Sequence, residues 1–114
     1  MFDFEKLIVY QKTKVYNKSV IEFISFNRLD FTTRDQLKRA SLSILLNIAE
    51  GTGRHTSPDK KHFYIISRGS VFECAALFDL LKGVQQIPDE KFKEFYAQLH
   101  EISRMLSGMI KRYS

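Results

Sequence analysis

Apolar residues recur along this chain with the spacing of helices, and the residues between those runs are ones that stop helices. Val9, Thr13, Tyr16, Val20 and Phe23 follow one another at intervals of 4, 3, 4 and 3, which places them on one side of a helix over about residues 6–26. The stretch from Asn27 to Phe31 breaks that pattern. Thr33-Arg34-Asp35-Gln36 then reads as a capping box, the Thr hydroxyl and Gln side chain satisfying unpaired N–H groups of a first turn. A second helix is therefore expected over about 34–51, with Leu37, Ser41, Ile44 and Ile48 inward and Gly51-Thr52-Gly53 closing it, where glycine can take the left-handed conformation. Ser57-Pro58 offers an N-cap followed by a proline that has no N–H to leave unpaired, so a third helix is expected over about 58–86. Its inward row reads Phe63, Ile66, Ser70, Cys74, Leu77 and Leu81. Pro88-Asp89-Glu90 opens a fourth over about 89–112, its acidic residues placed to meet the helix dipole. Phe92, Phe95, Leu99, Ile102, Leu106, Met109 and Tyr113 step along it by alternating threes and fours, the seam of a shallow-angle bundle. No segment alternates with the period of a strand. The expectation is an all-α, antiparallel up-down-up-down four-helix bundle forming a single domain over 1–114.

Two helices carry more apolar surface than one core face uses. On the second, Leu42, Leu45, Leu46 and Ala49 lie away from the inward row, making a stripe much wider than the ~100° of an ordinary surface helix. On the third, Tyr64, Ile65, Phe72, Ala75 and Ala76 form a second face, with Arg68 among them. If ~400 Å2 of such surface stayed wet, about 10 kcal/mol of burial would be forfeited at ~25 cal/mol/Å2. Leu42, Leu46, Tyr64 and Phe72 are therefore the expected subunit-interface residues of a homo-oligomer, the alternative being that helices one and four wrap further around.

Composition narrows the functional classes. The single cysteine, Cys74, cannot form an internal disulfide, which points to a cytoplasmic protein with an inert buried thiol. No run is apolar enough for a signal peptide or a membrane span, so no membrane partner is expected. The net charge of +5 invites a polyanion, yet dividing the chain at residues 28, 56 and 87 leaves each part with an excess of only one or two positive charges. His55, His62 and His100 do not form a metal-ligand pattern, and no nucleophile has a local base. No enzyme activity, cofactor, metal or small-molecule substrate is implied.

The polar constellations point instead to binding. Gln36, Arg39, Ser43, Asn47, Glu50 and Arg54 fall within about 60° on a helical wheel and form a ridge. Either this is a solvated or register-fixing network, or Arg39 and Arg54 present guanidinium forks to phosphates. Arg68-Gly69-Ser70 with Glu73 is the second group. A glycine in mid-helix costs ~1 kcal/mol, so Gly69 is expected where another backbone approaches closely, with Glu73 and Arg68 reaching toward Asn47 or Arg39. Ser43, Asn47, Glu50, Ser70 and Glu73 thus make the expected structural polar network. The loop after Gly51 lacks a phosphate-binding signature, but Arg54, Lys60 and Lys61, with His55 and His62, gather positive charge near the start of helix three. Lys14 and Lys18 read as a solvated face of helix one.

Several of these segments together resemble a known family. Phe4-Glu5-Lys6-Leu7-Ile8-Val9-Tyr10-Gln11-Lys12, Gln36-Leu37-Lys38-Arg39-Ala40-Ser41, Ser43-Ile44 through Asn47-Ile48-Ala49-Glu50-Gly51 to Arg54, and Ser67-Arg68-Gly69-Ser70 with Glu73 look like the bacterial four-helix-bundle proteins encoded in intervening sequences of 23S rRNA genes. The resemblance spans nearly the whole chain in order. It implies a ring-like homopentamer and a relationship to the accessory protein of diversity-generating retroelements, which binds nucleic acid and a reverse transcriptase. The functional expectation is a non-enzymatic oligomeric protein that binds RNA, DNA or a ribonucleoprotein, with Arg39, Arg54, Lys60, Lys61 and Arg68 as contacts. The alternative is a protein-interaction scaffold that binds no nucleic acid.

Overall fold

Short polar side chains fix where two of the four helices begin. In a computed structural model describing residues 1–114, a 3-10 turn at Asp3–Lys6 leads into α1 (Ile8–Phe26), α2 (Phe31–Thr52), α3 (Ser57–Gly83) and α4 (Asp89–Arg112). The cap of α2 is Asp30, whose carboxylate accepts a hydrogen bond from the Thr33 backbone N–H at 2.6 Å. That bond also holds the Asp30 carboxyl below its ordinary pKa. The expected box headed by Thr33 is displaced by one helical turn because a carboxylate is the better acceptor for the positive end of the helix. At α3 the cap is Thr56, accepting from Asp59 N–H at 3.3 Å, with Ser57 and Pro58 already inside the first turn. In α4, Asp89 and Glu90 in the first turn and Lys111 and Arg112 in the last complement the dipole at both ends.

The expected stop at Gly51-Thr52-Gly53 does end α2, with Gly53 as its C-cap, but without a left-handed glycine. Gly51 lies inside α2 and no glycine has positive φ. A Cβ added at Gly51 would come within 2.9 Å of a Tyr64 ring carbon and 3.0 Å of Phe63 Cβ, so the glycine is there to let α3 approach. Gly69 is the reverse: a Cβ there would meet nothing within 4 Å, and the expected close backbone approach does not occur. α3 closes at Gly83, short of the expected Gln86, through a Schellman arrangement. Gln86 N–H donates to the Leu81 carbonyl at 2.9 Å and Gln85 N–H to the Lys82 carbonyl at 3.1 Å, with Gln85 itself at φ 57°.

Each helix packs on its chain neighbours, and α1 also packs on α4, which closes an antiparallel up-down-up-down bundle. At 1.5 Å per residue the 27 residues of α3 span about 40 Å, which accounts for the 43 Å long axis of the molecule. One continuous core of 21 buried hydrophobic residues runs along it. At its centre the Phe78 and Phe95 rings stack at 4.6 Å, with Tyr16 and Phe23 edge-on to Phe95 at 6.0 and 5.6 Å. No helix is long and apolar enough to cross a membrane.

The inward rows of α1 and α2 are the expected ones, and on α4 the seam is buried from Phe92 to Leu106. On α3 the expected Ser70, Cys74 and Leu81 are buried, but the row is rotated so that Tyr64, Ser67, Val71 and Phe78 complete it, while Phe63 and Leu77 sit at the edge and Ile66 is exposed. Ser67 is the cause. Its hydroxyl donates to the Ile44 carbonyl on α2 at 2.8 Å, so a polar side chain belongs to the core row without a polar penalty. The rotation also moves Tyr64, expected at a subunit interface, to 1% exposure in the core.

These backbone readings have measurable consequences. Gly51→Ala should lower stability by about 1–3 kcal/mol through overpacking against Tyr64. Gly69→Ala should raise it by about 0.5–1 kcal/mol, since nothing opposes the new methyl. Urea unfolding of both variants checks the pair, and a stabilised Gly51→Ala would contradict the packing described. Gln85→Gly should raise the unfolding temperature by several degrees, because ~1 kcal/mol of left-handed strain at residue 85 disappears.

Candidate functional site

Buried hydroxyls and amides set the register that positions every surface group. The Tyr16 hydroxyl lies 3.1 Å from Ser41 Oγ, which in turn lies 3.5 Å from Cys74 Sγ. Asn17 Nδ2 donates to the carbonyls of Thr13 and Ser41 at 3.1 and 3.0 Å. Ser41 therefore ties α1, α2 and α3 at one level. Burial pushes the Tyr16 hydroxyl well above its ordinary pKa and pushes the Cys74 thiol up, so both stay protonated in the folded chain.

The polar ridge of α2 divides into two unequal parts. Ser43 Oγ accepts from Asn47 Nδ2 at 3.1 Å and from the Ser70 hydroxyl at 2.7 Å, and Asn47 also donates to the Ser43 carbonyl at 2.9 Å. Ser43, Asn47 and Ser70 thus form the expected structural network along the α2–α3 seam. Glu50 and Glu73 do not join it. Glu50 pairs with Arg54 at 2.6 Å, one turn along the same helix. Glu73 is exposed and makes no hydrogen bond or ion pair, because its position lies 100° around α3 from the buried Cys74.

The five expected phosphate contacts are not brought into one patch. Arg54 is occupied by Glu50 and lies 4.6 Å from the Phe63 ring centre. Lys60 Nζ donates to the Thr52 carbonyl at 2.9 Å. The Arg68 guanidinium sits over the Phe72 ring at 5.3 Å. Arg39 is exposed and Lys61 half-buried, and neither makes an ion pair. The Ser43–Ser70 and Ile44–Ser67 contacts place Arg68 level with about residue 44 of α2, roughly 7–8 Å along the axis from Arg39.

Large apolar side chains also remain outside. Leu46 is 60% and Phe72 58% exposed, with Ile65 and Leu80 on the outer side of α3 and Leu42 half-buried on α2. Phe72 also lines a groove between α3 and α4 with Tyr96, Leu99 and His100.

A feature absent from the sequence expectations lies at one end of the bundle, where the starts of α1 and α3 meet the ends of α2 and α4. A groove of about 570 Å3 is bordered there by Lys6, Lys60 and Arg112 and floored by Leu7, Met105 and Met109. Tyr64, at its wall, shares a 2.9 Å hydrogen bond between its hydroxyl and that of Thr52, and burial pushes its pKa up. Residues 6, 60 and 112 share no local motif, which is why no periodicity argument finds them together.

Comparison with known proteins gives a family and a fold. A family model described as 23S rRNA-intervening sequence protein matches residues 5–108. None of the curated proteins matches the chain. Among solved structures, a Bacteroides thetaiotaomicron protein of unknown function from the S23 ribosomal protein family superposes with a TM-score of 0.86. The two are 21% identical, and the match covers 91% of this chain and 99% of that one.

The buried hydroxyl and thiol lead to a signed pH dependence. A protonated group held more tightly in the folded than in the unfolded state adds stability below its unfolded pKa, and this is lost as pH rises. With Cys74 and Tyr16 both raised, the unfolding temperature should start to fall above about pH 8.5, where an unfolded thiol ionises. Calorimetry across pH 7 to 10 on the parent and Cys74→Ala checks it. The alanine variant should lose the earlier part of that fall, and identical profiles would contradict the assignment to Cys74.

Proposed function

We propose that this chain, which belongs to the family of 23S rRNA-intervening sequence proteins, works without catalysis, as a cytoplasmic homo-oligomer that binds nucleic acid or a ribonucleoprotein. The observation that carries the reading is that Leu46 on α2 and Phe72 on α3 are largely exposed, and that Arg39 on α2 and Arg68 on α3, the latter lying over the Phe72 ring, pair with no carboxylate. Apolar patches rimmed by polar groups are where soluble proteins associate. Arginines without carboxylate partners retain their full charge for phosphates, and a guanidinium lying on an aromatic ring is pre-positioned for a planar anion.

Assembly completes the argument for binding. One copy carries only a few unpaired cations, too few for a strong field, whereas a ring of copies repeats them around an axis. The family resemblance implies a homopentamer. Repetition turns several weak phosphate contacts per subunit into one multivalent surface.

A second reading has its own support in the Glu50–Arg54 pair, which removes one of the five expected contacts. In that reading the apolar surface binds only protein, and the bundle is a scaffold.

A salt titration separates the two. Binding of a structured RNA, read by fluorescence anisotropy, should weaken at least about tenfold between 50 and 200 mM salt. The double variant Arg39→Glu with Arg68→Glu should weaken it by about a further order of magnitude at low salt while leaving helicity unchanged. If neither RNA nor DNA is bound at low salt, the nucleic-acid reading is wrong and the scaffold reading stands.

A further inference from the structure

The end groove combines two features that one ligand chemistry satisfies. Three cationic residues border it, no acidic residue lines it, and none of the three makes an ion pair. Lys60 has one of its three N–H donors committed to the Thr52 carbonyl, leaving the others for an anion. Lys60 and Arg112 also stand 6.0 and 5.5 Å from the Tyr113 ring centre, which steadies both heads at the rim. Seven of the twelve lining residues are hydrophobic, so an inorganic ion alone would leave the floor wet. Two methionines in that floor fit irregular apolar shapes, and about 570 Å3 is within the usual size of a small-molecule site.

We propose that this groove binds a small amphipathic anion, with a carboxylate or phosphate head held by Lys6, Lys60 and Arg112 and a medium-length alkyl or aryl body lying on Met105 and Met109. The head faces the open rim, where its charge stays partly hydrated, and the body displaces water from the methionine floor. Neither Arg39 nor Phe72 takes part, so the site is independent of the outer faces of α2 and α3.

Gly108 provides the test. It lines the groove, and a Cβ there would meet nothing within 4 Å, so a side chain grown from it enters the groove without disturbing the core. Calorimetric titration of the full chain with monomeric decanoate, decyl phosphate and decanol is the experiment. At least one anion should bind saturably with one site per chain, and decanol at least about tenfold more weakly. Whichever anion binds tighter identifies the head. Gly108→Leu and Lys60→Gln with Arg112→Gln should each weaken the anion at least about tenfold, with the unfolding temperature of Gly108→Leu equal to or above that of the parent. Failure of both anions to bind, equal binding of decanol, or undiminished binding by well-folded Gly108→Leu would each overturn the proposal.

Discussion

The close approach of α2 and α3 is the constraint on which the rest of the molecule depends. Small side chains make it: Gly51 admits the Tyr64 ring, and Ser41, Ser67 and Ser70 each present a hydroxyl to the neighbouring helix. Those hydroxyls are satisfied, so the seam is both tight and directional, which a purely apolar seam would not be. A one-residue slip would separate Ser67 from the Ile44 carbonyl and Ser70 from Ser43 together. Asn17 and Tyr16 extend the same register to α1 through Ser41.

A seam made of small residues has a consequence for the surface. The inward side of α2 is completed by Leu37, Ala40, Ile44 and Ile48, and that of α3 by Tyr64, Val71, Phe78 and Leu81. Leu46, Ile65 and Phe72 are then left with no intramolecular partner large enough to cover them. At the end of the bundle Met109 and Tyr113, the last members of the α4 seam, are only half-buried and line the groove. The surface proposed for assembly follows from how α2 and α3 meet.

Much of this was legible in the sequence where apolar spacing alone decides. The α1 row from Val9 to Phe23 and the α4 seam from Phe92 to Leu106 needed only period and residue size. On α3 spacing alone finds Ser70, Cys74 and Leu81 but misses Ser67, which looks polar in sequence and is a core residue only through the opposite carbonyl of Ile44. Tyr64 went to the wrong face for the same reason. The close approach expected at Gly69 occurs at Gly51 instead, since a glycine that admits a ring and one that faces open space are identical as letters. Cationic residues were readable as a list and unreadable as a patch: Arg54 found Glu50, Lys60 turned to Thr52, and Lys6 and Arg112 joined Lys60 from opposite ends of the chain.

The proposed assembly through the outer faces of α2 and α3 is the central claim, and molar mass in solution tests it most directly. Light scattering on purified protein at micromolar concentration should give a multiple of the 13.4 kDa subunit mass. Leu46→Glu with Phe72→Glu, at positions 60% and 58% exposed in one subunit, should bring that mass down to a single subunit with helical content intact. A parent protein that runs as a 13.4 kDa monomer would contradict the account.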